Sequence, residues 1–242
     1  MMTQSISAKD HVVLLHGLCR STSSMNKMEK ALSAEGYVVH NLGYESRQHS
    51  IQKLATDTRK VIANKTKDAA KVHFVTHSLG GILVRQMQAT NPLENIGRVV
   101  MLSPPNQGSE IVDKIGHWWL FEKVNGPAGR QLGTDKKSIP NQLGPIDFEC
   151  GVITGDRSIN WINSLMIHGS DDGKVSITRS RLEGISTHKV IHVTHPMIMK
   201  RRIVIDDVIE FLKNGHFIES KKLHKRPTRQ MKTQDHEPEI VK

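Results

Sequence analysis

The segment Val72–Gly81, VHFVTHSLGG, constrains the fold more than any other part of the chain. An apolar, strand-like run leads straight into Ser78, and two glycines and a helical pattern follow. A strand that turns at once into a helix brings the two backbones nearly into contact. The residues two before and two after the turn must therefore be small, and the residue at the turn is held strained with its side chain above the sheet. Gly80 meets the size requirement. Thr76 stands where glycine is the usual choice, and it is small enough to serve. A helix N-cap role would account for Ser78 alone, but not for a small residue on each side of it.

Around this turn two kinds of segment alternate. His11–His16, Tyr37–Leu42, Val72–Thr76, Arg98–Leu102, Gly151–Thr154, Leu165–His168 and Lys189–Thr194 read as short strands. Met25–Gly36, the run from Ile51 to Ile62, Gly80–Ala89 and Pro196–Leu212 read as helices. Near-continuous apolar strands alternating with helices predict an α/β fold, a mostly parallel sheet with helices on both faces. Residues 106–150 break the rhythm. They are rich in glycine and proline and carry Trp118, Trp119, Leu120 and Phe121 in a row, so they read as a lid-like insertion on the ligand side. Those four side chains are candidates for a lid or substrate pocket over Ser78, with ordinary core packing as the alternative.

A chain of 242 residues suits one domain, expected over residues 1–217, with a core that needs neither disulfide nor metal. Its two cysteines, Cys19 and Cys150, are expected to be free. The net charge is +10, and half of it falls in Glu219–Lys232, with six basic residues and one acid. That run lacks apolar periodicity, so residues 218–242 read as a basic, disordered tail. At most it predicts weak peripheral contact with an anionic membrane. It contains no aromatic residue for base stacking, which argues against nucleic acid as a partner. No apolar run approaches the ~20 residues that span a bilayer, and no signal-peptide pattern opens the chain, so a cytoplasmic location is expected.

Taken together, VVLLHGL, VHFVTHSLGGILVR, MLSPPNQGSE, GSDDGKVS and VTHPMIM resemble the α/β-hydrolase superfamily. The likeness covers about Lys9–Phe217. It is to the small bacterial lipase- and esterase-like members and, more distantly, to the GPI-inositol-deacylase-like group. The resemblance implies a serine nucleophile, an acid and a histidine in that chain order, and an oxyanion hole of two backbone amides. It also implies hydrolysis of a small-molecule or lipid carboxylic ester through an acyl-enzyme, without a cofactor.

A serine hydroxyl needs a neighbouring base to take its proton. The histidines beyond Ser78 are His117, His168, His188, His192, His195 and His216. His195 follows the carboxyl end of an apolar strand, where open α/β sheets bind ligands, and the resemblance through VTHPMIM points to the same residue. A metal site of His188, His192 and His195 is rejected. On one strand, residues 188 and 192 lie about 13 Å apart and residue 195 points to the other face. Asp171 and Asp172 both follow a strand at its carboxyl end. The resemblance, which places the acid directly before Gly-Lys-Val, selects Asp172. The amide of Leu79, next to the nucleophile, is one oxyanion donor, and the resemblance implies Leu18 N–H as the second. Thioester hydrolysis or acyl transfer would use the same residues. A non-catalytic binding protein of the same fold is the rival reading.

Overall fold

The structure, a computed structural model, describes residues 8–115, 119–158, 171–172 and 175–219. Its centre is a parallel sheet of six strands in the order β2-β1-β3-β4-β5-β6. The strands are β1 (His11–Leu15), β2 (Val38–Leu42), β3 (Val72–His77), β4 (Ile96–Leu102), β5 (Cys150–Gly155) and β6 (Thr187–Ile191). Before β3 come the helices α1 (Asn26–Ala34) and α2 (Ile51–Lys65), and α3 (Leu79–Thr90) follows it. The insertion carries α4 (Glu110–Ile115), α5 (Trp119–Arg130) and α6 (Ile139–Gln142). A short α7 (Ile177–Ser180) and the closing α8 (Arg202–Asn214) complete the described elements. This is the parallel α/β sheet that the strand–helix alternation predicts, and it fits the α/β-hydrolase fold that the resemblance implies.

The strand period of two sorts the core into layers. Val13 and Leu15 of β1, with Phe74 of β3, pack with Ile51, Leu54 and Ile62 of α2 and with Ile82, Leu83 and Met87 of α3. Val12 and Leu14, with Val75, pack on the other face with Met28 and Leu32 of α1 and with Val204, Val208 and Phe211 of α8. Both faces of the sheet are therefore covered, which explains why β1 and β3 are buried throughout and why β1 runs Val-Val-Leu-Leu without alternation.

Helix α3 is buried along most of its length and includes Arg85, which is only 4% exposed. Its guanidinium donates to the carbonyls of Asn106, Pro140 and Gly144 and to Asn106 Oδ1, at 2.9–3.3 Å. Burial pulls its pKa down to about 10, so it stays charged at neutral pH. This one side chain ties the helix after Ser78 to the insertion.

The sequence places the last helix at Pro196–Leu212, whereas α8 begins at Arg202. Arg201 is extended (φ −81°, ψ 132°) and breaks the run, leaving only a 3-10 turn at Ile198–Lys200 before it. The last strand, read at Lys189–Thr194, is shifted to Thr187–Ile191, so His188 lies inside it and His195 stands in the loop beyond. The strand read at Leu165–His168 lies outside the described residues, as do His117 and nearly all of the basic tail. Among the described residues no helix is long and apolar enough to cross a membrane.

The approach of α3 to β1 gives a direct test. In an open helix, replacing glycine by alanine gains up to ~1 kcal/mol. At Gly80 an added Cβ would lie 2.6 Å from the Leu15 carbonyl oxygen and 3.1 Å from that of His16, both backbone atoms that cannot swing aside. Gly80→Ala is expected to destabilise by about 2–3 kcal/mol, read as a fall in Tm of roughly 5–10 °C.

Candidate active site

In the order β2-β1-β3 the chain winds away from β1 in both directions, which opens a crevice at the carboxyl ends of β1 and β3. Ser78 stands there, one residue past β3, with φ 51° and ψ −117°. A non-glycine residue at positive φ is strained, and the surrounding packing has to impose it. That packing is visible. The Ser78 N–H donates to Leu102 O at 2.9 Å, and Gly80 lies against the end of β1. A Cβ on Gly17 would sit 3.1 Å from the Ser78 Cβ and 2.7 Å from the His77 ring, so the loop after β1 passes directly beside the serine.

His195 is fixed at three points. Its N–H donates to Asp172 O at 2.8 Å, and its Nδ1 lies 2.7 Å from Asp172 Oδ2. Its carbonyl lies 3.1 Å from His77 Nε2. A carbonyl only accepts, so His77 carries its proton on Nε2. By the same logic His195 donates Nδ1–H to the carboxylate, which leaves its Nε2 as the basic atom. His195 and Ser78 both line one cavity of about 300 Å³. Asp172 is almost wholly buried. Burial alone would raise its pKa, but the charge and hydrogen bond of His195, the Ser103 hydroxyl and the Val175 N–H together hold it below the usual carboxylate range. Asp171 is buried one residue earlier and bridges to Ser176, so of the two carboxylates it is Asp172 that meets His195.

The remaining residues singled out in the sequence take different places. Leu18 and Phe121 line the cavity, together with Ile111, Val112, Val124 and Leu132. Leu79 opens α3, where the first amides have no intrahelical carbonyl to bond. Trp119 departs from its expected place. It is 72% exposed with Lys123 over its ring, outside the cavity walls. On α5, which breaks at Gly126 (φ 66°) before Pro127, Phe121 faces the cavity and Val124 stands at its rim, 46% exposed, while Trp119 lies on another side of the helix. Trp118 and the Leu120 side chain lie outside the described residues. His192 pairs with Asp156 on the surface. His188 bonds Thr154 and Ser180, and burial pushes its pKa down to about 4.

Several contributors carry no motif of their own. His77 holds the His195 backbone. Ser103, at φ 47° after β4, supports Asp172. The ring of Tyr44 stacks on His16 at 4.2 Å between centroids, and its hydroxyl donates to the His16 carbonyl, which steadies the turn that brings Leu18 to the cavity. The only signal for Ser103 was its place within MLSPPNQGSE. Among the described residues no group of three or more His, Cys, Asp or Glu side chains is arranged to hold a metal ion.

The sheet order, the strained serine turn and the His–Asp pair on later loops are those of the α/β-hydrolase class. Within it, the chain belongs to the palmitoyl protein thioesterase family, whose model matches residues 11–140. The lysosomal thioesterase PPT2-B of Xenopus laevis is 28% identical over 115 residues, which are 45% of this chain and 40% of that protein. The chain therefore aligns with less than half of this relative's length. Among solved structures, the Bacillus licheniformis lipase BlEst2 in its propeptide form superposes with a TM-score of 0.66 at 20% identity, covering 89% of this chain and 53% of the other. The phospholipase PlaB of Legionella pneumophila gives 0.62 at 15% identity, covering 78% and 53%. These similarities in shape report the fold.

The depressed pKa of Asp172 predicts a pH effect on stability. A carboxylate held below its unfolded value of ~3.9 stabilises the fold above that pH, and this contribution is lost as pH falls through the native value. The stability advantage of the native chain over Asp172→Asn, from urea unfolding, is expected to shrink as pH falls below about 4. An advantage that grew on acidification would contradict the assignment.

Proposed function

We propose that the protein is a serine acyl hydrolase that cleaves acyl thioesters, and by the same steps oxygen esters, through an acyl-enzyme on Ser78. One observation carries the reading: Ser78 and a carboxylate-held His195 open into the same largely apolar cavity. Membership of the thioesterase family supports thioesters as substrates beside the oxygen esters that the motifs first suggest.

In this reading Ser78 Oγ attacks the acyl carbonyl while His195 Nε2 takes its proton. The resulting imidazolium is stabilised by Asp172, which stays ionised. The amides of Leu79 and Leu18 are the proposed donors to the oxyanion, a contribution of roughly 3–4 kcal/mol per donor in comparable sites. The tetrahedral intermediate collapses, the C–S or C–O bond breaks, and His195 returns its proton to the departing thiol or alcohol. Water then repeats the sequence against the acyl-serine, releasing the carboxylic acid and restoring Ser78.

A fluorophosphonate probe is expected to label the native chain on Ser78. Ser78→Ala is expected to abolish labelling and to lower kcat on a p-nitrophenyl ester about 10⁴–10⁶-fold. His195→Ala should cost about as much, because the two residues act as a unit. Asp172→Asn should lower kcat steeply and Asp171→Asn only mildly. Full activity in the Ser78 variant, or the reverse ranking of the aspartates, would refute the assignment.

The cavity walls predict the chain-length preference. Each acyl CH₂ buried there contributes ~0.8 kcal/mol. Phe121→Ala is expected to lower kcat/KM for decanoyl esters about tenfold more than for acetyl esters, whereas Trp119→Ala should leave that ratio unchanged. Equal losses on both chain lengths in the Phe121 variant would remove Phe121 from the acyl site.

A further inference from the structure

Beside the apolar cavity, and sharing Arg20 with it, lies an open cleft of about 590 Å³. It is built from the loop after β1, the loop after β2 and Lys200, which closes the 3-10 turn following the His195 loop. The first two loops are joined where Cys19 N–H donates to Ser46 Oγ at 3.2 Å. The character of the cleft is opposite to that of the cavity. Arg20, Arg47 and Lys200 border it, and among the described residues none of the three has an ion-pair or side-chain hydrogen-bond partner. Its one carboxylate, Glu45, is engaged by Gln48. Ser21 and Ser23, whose hydroxyls lie 2.9 Å apart, add donors along the same wall.

Three cations against the single carboxylate of Glu45 leave the cleft with an excess of positive charge, and a bound dianion would offset that excess. Two guanidinium forks and an ammonium supply charged donors, which suit a tetrahedral phosphate better than a neutral group. The position of the cleft says what brings the phosphate. With the acyl chain in the apolar cavity and its carbonyl at Ser78, the departing half of the substrate needs a second space, and the cleft adjoins the cavity at Arg20. We infer that this cleft receives the leaving group of the substrate, and that the leaving group is an alcohol or thiol bearing a phosphate. The inference rests on the acyl-hydrolase reading above. The chemistry is unchanged: the C–O or C–S bond breaks at the acyl-serine step, and the phosphate-bearing product leaves with the proton from His195.

The test compares substrate pairs that differ by one phosphate, using the full chain. The thioester pair is decanoyl-4′-phosphopantetheine and decanoyl-pantetheine. The oxygen-ester pair is decanoyl-glycerol 3-phosphate and decanoyl-glycerol. In at least one pair the phosphorylated member is expected to show about tenfold higher kcat/KM, equivalent to ~1.4 kcal/mol, and the pair that responds identifies the source of the phosphate. The double variant Arg47→Gln with Lys200→Gln should reduce that preference to about twofold or less. Raising salt from about 50 to 500 mM should also erode it, since exposed charges are screened. Turnover of the neutral substrates with no phosphate preference in either pair would overturn the inference and leave the hydrolase reading intact. So would a preference that survives in the double variant with Tm unchanged. No turnover of any substrate, together with no fluorophosphonate labelling of Ser78, would overturn the hydrolase reading itself and this inference with it.

Discussion

The architecture of the site depends on one close contact, that of Gly80 with the carbonyls at the end of β1. Because α3 can lie against that strand end, the chain can turn from strand to helix within a single residue, and Ser78 is forced to positive φ. The same contact brings the loop after β1 beside the serine, where Gly17 passes within van der Waals distance of both His77 and Ser78. Any side chain at residue 80 would separate the two backbones and release the strain that holds the hydroxyl out. The nucleophile position is thus a property of packing between neighbouring elements, and Arg85 reinforces it by bonding the buried helix to the insertion.

The second half of the site is held by hydrogen bonds. His195 is bound through its amide, its carbonyl and one ring nitrogen, so both the place of the imidazole and its tautomer are set before any substrate arrives. Donors then surround Asp172 closely enough to offset the cost of burying its charge. Because of this, a carboxylate can sit in an apolar setting and remain ionised. A group prepared in this way needs little reorganisation during reaction.

Much of this was legible in the sequence where local rules are strong. The strand–serine–glycine run marks its turn by steric need alone, and the strand–helix alternation marks the parallel sheet. Choosing between Asp171 and Asp172 required a resemblance, because a turn of two adjacent aspartates says nothing about which one faces inward. The roles of His77 and Tyr44 were illegible and that of Ser103 nearly so, since each acts through a partner distant in sequence: Asp172 lies 69 residues beyond Ser103, and His195 lies 118 beyond His77. The tryptophan run misled for a related reason. Apolar content reveals that a segment has something to bury, but not which side of its helix meets the cavity: Phe121 lines it and Trp119 stays in solvent. At the last helix, the sequence pattern ran on through Arg201, where the backbone is extended.

The anchoring of α5 has a consequence for how a fold of this kind can diversify. A Cβ on Gly126 would lie 1.8 Å from the Arg47 carbonyl oxygen, so the helix is pinned at its break, while Cys19 Sγ reaches the Val124 carbonyl at 3.4 Å. None of these contacts involves Ser78, Asp172 or His195, and the bonds that hold those three come from the sheet and its adjoining loops. Within the insertion, α5 is fastened to the loops after β1 and β2, whereas Ser78 and His195 are bonded to Leu102, Asp172 and His77. Side chains on the first half of α5 can therefore be exchanged generation after generation, changing what fits under the roof, without the strained turn or the imidazole having to be rebuilt.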